Sequence, residues 1–296
     1  MAEVLSSPGQ TGSRIAVPAV ILAAALGASS GLYIKSLGFS SLALTGFRMC
    51  IPFFFFLPGM IRKKMVFGPP RMRKRIITAS LLNGIRMFLY VIAYKLTSLA
   101  NAVVLVYLWP LFALILHSVM KKEKLKLREL GLILLAIFGV VLLNFQKGFS
   151  FSPDHMAGNL FMALSAFLFS FTALIFKDAL ADHSEGEVVY FQNALGALVF
   201  LPFLLIEASS APLPEILWGS LYGLSVGVGA WACFFIALKR LPVFQYGALT
   251  YVEVFFGVLF GAVFLGESIT GFTVTGILLV LSASVLSRFA PEQKKA

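Results

Sequence analysis

Runs of about 20 apolar residues, the length that crosses a hydrocarbon core of roughly 30 Å, recur along the whole chain with short polar or turn-forming breaks between them. They predict spans at 15–37, 39–59, 76–96, 98–119 and 129–146, then at 157–178, 186–206, 215–238, 242–265 and 269–289. Gly-Phe-Ser-Ser at 38–41, Gly68-Pro69-Pro70, Ser152-Pro153-Asp154, Pro212 with Pro214, and Leu241-Pro242 supply turn or helix-start chemistry at the breaks. The predicted fold class is an all-α membrane protein of ten transmembrane helices.

Composition agrees with the bilayer as solvent, because only 12% of the residues are charged where a soluble domain has about a quarter. The net charge of +11 does not call for nucleic acid, since half of the 24 basic residues sit in two short loops. One holds Arg62, Lys63, Lys64, Arg71, Arg73, Lys74 and Arg75, and the other Lys121, Lys122, Lys124, Lys126 and Arg128. Such loops face the cytoplasm under the positive-inside rule. Both termini then lie inside, with Arg288, Lys294 and Lys295 at the carboxyl end, while Lys147, Glu207 and Glu215 fall outside. The loop from Asp178 to Glu187 is acidic but has little weight, because acidic residues influence topology weakly. Cys50 and Cys233 fall inside spans, where a thiol behaves as a small hydrophobe. The first span, although Ala25, Gly27 and Ala28 resemble a cleavage region, is expected to be a retained helix.

The halves of the chain repeat one another. A shift of 144 residues places Lys95 on Lys239, Asn101 on Gln245, Tyr107 on Tyr251, Phe112 on Phe256, Glu123 on Glu267 and Leu57-Pro58 on Leu201-Pro202; a shift of 142 places Lys35 on Lys177. Five spans per repeat is an odd number, so the second repeat is inverted relative to the first, a design suited to alternating access. The expected organisation is a cytoplasmic segment at 1–14, a first five-helix repeat at 15–146, a connecting loop at 147–156, a second repeat at 157–289 and a tail at 290–296.

Several ordered motifs carry a family resemblance. Lys35 ends the first span, Arg48 sits in Leu-Thr-Gly-Phe-Arg-Met, and Ala-Tyr-Lys-Leu-Thr-Ser-Leu-Ala-Asn-Ala leads from 93 into the fourth span. Trp109-Pro110 follows, and Phe-Leu-Gly-Glu-Ser at 264–268 ends the ninth span. Across nearly the whole chain the sequence resembles the drug/metabolite transporter superfamily, in its ten-span branch with two EamA-type repeats. It departs from the pattern at Val-Met-Lys-Lys-Glu, where a glycine usually precedes the glutamate, and at Gln192, which stands where the first repeat has Arg48. The resemblance implies a transporter with a central cavity formed by spans three, four, eight and nine, together with one and six.

Charges deep in a bilayer cost several kcal/mol unless paired or wetted, and Arg48, Arg86 and Glu253 lie about halfway along their spans. In span three Asn83, Arg86, Tyr90, Tyr94 and Thr97 recur on one helical face, and in span nine Tyr246, Thr250, Glu253 and Gly257 do the same. The alternative for both stripes is polar packing. Arg48, in a span rich in phenylalanine from Phe53 to Phe56, is expected to be structural. Tyr107, Trp109, Trp231 and Tyr251 offer aromatic faces to a planar or cationic ligand, and Asn101 and Gln245 add repeat-related polar groups to the expected substrate-binding set. Lys35 and Lys177 are candidates for the two cavity mouths, while Lys95 and Lys239 suit snorkelling to headgroups. Pro110 is expected to kink span four and expose a carbonyl toward the cavity.

Enzyme chemistry has little support. His117, His155 and His183 lack carboxylate or cysteine neighbours at ligand spacing, no metal or cofactor is expected, and no phosphate-binding loop is present. The expected protein is a secondary transporter of the bacterial inner membrane, moving a small polar metabolite that is amino-acid-like or nucleotide-like. Its partners are that metabolite, membrane lipid, and a coupling proton, ion or exchanged metabolite, with no nucleic acid. The rival readings are a membrane-embedded assembly protein and, third, a channel.

Overall fold

The structure, a computed structural model, describes residues 8–65, 73–122, 124–145, 149, 152–265 and 269–287. The centre of the first basic loop at 66–72, Glu123, Lys147, Glu267 and the tail at 290–296 lie outside the described residues, as do the first residues of the 1–14 segment. The helices are α1 (Pro8–Ala28), α2 (Ser30–Ser36), α3 (Ser41–Arg62), α4 (Arg73–Leu96), α5 (Leu99–Val106), α6 (Trp109–Lys121) and α7 (Leu127–Asn144) in the first half. The second half holds α8 (Pro153–Ala179), α9 (Glu185–Ala208), α10 (Leu213–Tyr222), a π-helical segment Gly223–Ala230, α11 (Trp231–Arg240), α12 (Val243–Thr250), α13 (Val252–Leu265) and α14 (Gly271–Ser287).

Among the described residues, nine stretches are helical, long and apolar enough to cross a membrane, and α14 adds a tenth apolar helix of 17 residues. The chain is a multi-pass, all-helical membrane protein. Four of the spans are interrupted. Span one breaks at Ser29 between α1 and α2, and the first helix begins at Pro8, ahead of the expected start at 15. Span eight passes through the π-helical segment. Spans four and nine break at Tyr107 and Tyr251, which are 144 positions apart in sequence.

Those two breaks meet. The Tyr107 and Tyr251 rings stack with centroids 5.5 Å apart, and the Tyr251 hydroxyl donates to the Tyr107 carbonyl at 2.8 Å. The break in span four lies just before Pro110, which sits in the first turn of α6, the position a helix tolerates. Two carbonyls at the break have side-chain donors. Tyr251 takes that of Tyr107, and the Ser170 hydroxyl donates to that of Trp109 at 2.8 Å.

The helix contacts respect the internal repeat. The most extensive pairings join opposite halves: α3 with α9, α4 with α8, α7 with α14, and α1 with α11 and the π-helical segment. Exchanging the halves maps spans two and seven onto each other, maps five onto ten, and turns the pairing of three with six into that of eight with one. Local chemistry repeats as well. Ser40 caps α3 by accepting from the Ala43 amide, and Ser184, 144 positions on, caps α9 with Glu187 completing a capping box. Lys95 donates to the Phe39 carbonyl ahead of α3, and Lys239 to the His183 carbonyl ahead of α9 at 3.1 Å. These lysines are tied to loops rather than only snorkelling.

In lipid the apolar faces gain little by leaving water, so close backbone approach matters more. Gly139 of α7 and Gly276 of α14 meet face to face, where a Cβ on either would stand 2.9 or 2.7 Å from the other's carbonyl oxygen. Lipid-facing apolar side chains such as Phe54, Phe55, Leu198 and Val199 remain exposed on the outer faces.

Candidate functional site

A cavity of about 370 Å³ lies within the bundle. Its floor is aromatic: Trp109 of α6, Phe169 of α8, Trp231 and Phe234 of α11, and Tyr246 of α12 pack together with ring centroids 4.6–6.5 Å apart. The π-helical segment positions one of these rings. A Cβ on Gly223 would stand 2.4 Å from the Phe47 carbonyl oxygen, so only glycine allows this contact with α3. The widened turns then end at Trp231, and such segments are frequent at functional sites.

Two arginines reach the cavity from neighbouring helices. Arg86 of α4 is 4% exposed and Arg48 of α3 is 3% exposed, and both line the cavity. The Arg86 guanidinium carbon lies 4.8 Å from the Phe169 ring centroid and 5.5 Å from that of Trp231, while that of Arg48 lies 5.3 Å from the same indole. Asn83, one turn back on α4, accepts from Arg86 Nε at 3.1 Å. Asn83 is itself held on α9, donating to the Gln192 carbonyl at 3.0 Å and accepting from the Gln192 amide at 3.3 Å. Arg48, expected to be structural, thus lies in the lining of the cavity. Its α3 does present Phe54 and Phe55 outward, but the arginine lies on the opposite, inward face.

Glu253 of α13 lines the opposite wall with Thr250 and Gly257. Tyr107 lines the cavity with it. Gly27 of α1 makes room for it, since a Cβ there would stand 2.6 Å from Glu253 Oε1. Gly257 has no atom within 4 Å of its would-be Cβ, so it leaves open space in the wall. Tyr90 and Tyr94 of α4, in edge contact at 4.9 Å, complete the polar lining with Ser30 of α2. Among the described residues no ion pair joins Arg86 to Glu253.

The two ends of the cavity differ. At one end the lining reaches the surface at Lys35 and Ser36, both exposed. Beyond the aromatic floor the other end is tied shut. Lys177 donates to the carbonyls of Leu238, at 2.9 Å, and Leu241. His183 and Lys63 meet Glu187 at 3.0 and 2.6 Å, and Arg240 meets Glu185 at 3.1 Å. Lys177, expected at a second mouth, does not line this cavity, and its ammonium is bound to the end of α11.

Of the expected binding residues, Arg86, Tyr90, Tyr94, Tyr107, Trp109, Trp231, Tyr246 and Glu253 share this one cavity, and Lys35 is at its mouth. Three do not belong to it. Asn101 is buried against α8, where it and Thr97 donate to the Asn159 side chain at 2.9 and 2.6 Å. Tyr251 is fully buried and serves the break in span nine, and Gln245 is half-buried off the lining. The sequence reading missed Arg48, Phe169 and Asn144, the last of which brings span five into the wall. The midplane charge at Arg48 was a usable signal, whereas a lone Asn near a span end and one Phe among many were not. Among the described residues, no group of three or more His, Cys, Asp or Glu stands together, and Cys50 and Cys233 are free.

A ten-helix bundle with a charged central cavity defines a membrane protein built around a small-molecule site. The EamA-like transporter family matches residues 14–145 and 156–289, so the chain belongs to that family, one copy of the match in each half. An uncharacterized transporter of Archaeoglobus fulgidus is 22% identical over 93% of this chain and 96% of its own length. The pseudopaline exporter of Pseudomonas aeruginosa is 31% identical over 46% of this chain and 47% of its own. The aromatic amino acid exporter of Ancylobacter novellus is 30% identical over 55% of this chain and 58% of its own. A solved crystal structure, 22% identical, superposes with a TM-score of 0.76, covering 96% of this chain and all of that one.

Proposed function

We propose that this chain is a secondary transporter that moves a small, polar, amino-acid-like metabolite across the bacterial inner membrane by alternating access. The observation that carries the reading is a single cavity in which Arg86 and Glu253 stand unpaired with one another, closed beyond the aromatic floor and reaching the surface at Lys35. A cation and an anion on facing walls suit a carboxylate and an amine; a nucleotide offers no cation for Glu253. The repeats at 15–146 and 157–289 act as the two moving halves, rocking about the Tyr107–Tyr251 contact.

By the placement of basic loops, the closed end, which carries Lys63, Lys177 and Arg240, faces the cytoplasm with both termini, and Lys35 faces outward. Two relatives are named as exporters, which favours outward transport. Glu253 is the group suited to carry a coupling proton, because an intramembrane carboxylate in a water-accessible cavity can take one up on one side and release it on the other.

The test is exchange of labelled amino acids in proteoliposomes, preceded by thermal stabilisation with a metabolite panel, since a ligand of the folded form raises apparent stability. Saturable exchange supports the reading. Its absence, with stoichiometric co-purification of a protein partner, supports the assembly-protein alternative.

A further inference from the structure

We infer that the substrate of this cavity carries two acidic groups, one for each of Arg48 and Arg86, and a single amine, making it an aminodicarboxylate with an apolar body. The inference rests on the transport reading above and sharpens its substrate class. Both guanidinium carbons lie close to one indole, at 5.3 and 5.5 Å from the Trp231 centroid, and both line the same cavity. The ring quadrupole orients them and does not neutralise them. Among the described residues neither has a carboxylate within 4.0 Å.

The donors are also unspent. A guanidinium offers five N–H groups in a fork that matches a carboxylate. Arg86 uses Nε on Asn83 and makes a long contact from Nη2 to the Met87 sulfur at 3.8 Å, and Arg48 makes no hydrogen bond among the described residues. While the mouth is open, water and counterions can solvate these groups. Occlusion removes that solvent, and an uncompensated cation in a low-dielectric site is then expensive.

Counting charge selects the substrate. Two arginines against Glu253 leave one excess positive charge, which a simple zwitterion leaves in place and which two acids with one amine cancel. If Glu253 takes up a proton, the excess rises to two positive charges, which the two acids cancel on their own, so two acids are called for in either state. The cavity of about 370 Å³ lies in the range that holds drug-sized ligands, and the aromatic floor offers an apolar body a stacking surface.

Three probes separate the possibilities with purified protein: γ-glutamyl-phenylalanine, which has two carboxylates, one amine and one ring, phenylalanine, which has one carboxylate, and phenylalanine amide, which has none. In binding and in proteoliposome counterflow, the wild type is expected to prefer the diacid to phenylalanine by tenfold or more and to ignore the amide. Arg48→Gln should reduce that preference to about twofold, by weakening the diacid more than phenylalanine, and Arg48→Lys, which keeps the cation, should retain most of it. Gln is tolerable there, since Gln192 is buried at the equivalent place in the second half. Exchange of monocarboxylates with no preference for the diacid, or a preference untouched by Arg48→Gln in a folded variant, overturns the inference and leaves the transport reading standing. Absence of saturable exchange with any metabolite overturns both.

Discussion

Lys35 and Lys177 end spans one and six at equivalent places in the two halves, yet Lys177 caps the carbonyls of Leu238 and Leu241 while Lys35 is exposed at the cavity mouth without such a partner. Shifting Leu238 and Leu241 back by 144 positions gives Tyr94 and Thr97, the carbonyls that Lys35 is placed to cap when the halves exchange conformations. On a background lacking Cys50 and Cys233, Lys35→Cys should react with an impermeant thiol reagent from outside and become protected when substrate is occluded. Lys177→Cys should resist labelling from either side in the resting protein. Ready labelling at 177 with protection at 35 contradicts this assignment of the open and closed ends.

The orientation itself is checked with single cysteines at Ser7, Gly68 and Ser209 on the same background. The asymmetry of lysine and arginine places positions 7 and 68 inside and 209 outside. Labelling of position 68 in intact cells reverses the topology and, with it, the side to which the cavity opens.

Gly27→Ala tests the Glu253 wall without touching its charge. The added methyl would stand 2.6 Å from Glu253 Oε1, and a carboxylate at the end of a flexible side chain can move aside, so the stability cost should fall at the low end of overpacking, about 1 kcal/mol. Transport should fall by tenfold or more because the carboxylate is displaced. Unchanged transport by a folded Gly27→Ala protein removes Glu253's position from the account.

Tyr251, one of the aromatics expected from sequence to bind substrate, is instead a helix-break residue. Tyr251→Phe leaves the buried Tyr107 carbonyl without its donor, at a cost of roughly 1–3 kcal/mol. Detergent thermal stability should drop while substrate affinity in the remaining folded protein stays within about twofold. A selective loss of affinity at unchanged stability would return Tyr251 to the binding set.

What could be read from the chain follows from periodicity and depth. The apolar runs give the spans because lipid demands them, and the polar stripes of spans three and nine bring Arg86, Tyr90, Tyr94, Tyr246 and Glu253 to one cavity because helical spacing aligns them. What sequence could not weigh is which of two facing partners a polar group chooses. Asn101 of α5 and Thr97, just past the end of α4, turn to Asn159 of α8, and Lys177 turns to the end of α11. Arg48 lies on the inward face of α3, which its neighbours Phe54 and Phe55 on the outer face do not reveal. The π-helical segment is glycine-rich, and its Gly223 admits the close approach of Phe47.

The most direct test of the central claim is exchange of labelled substrate by Arg86→Gln and Glu253→Gln proteins in proteoliposomes, read beside their detergent stability. Each single change should abolish exchange while leaving expression and stability near wild type, because the two side chains are not each other's partner. If Glu253 carries the coupling proton, wild-type transport should also depend on pH and residual transport by Glu253→Gln should not. Loss of stability in each single variant with recovery in the double neutral variant would mark a structural pair, where stranding one buried partner costs about 3–5 kcal/mol. Full exchange by both single variants at ordinary substrate concentrations contradicts the account in every form.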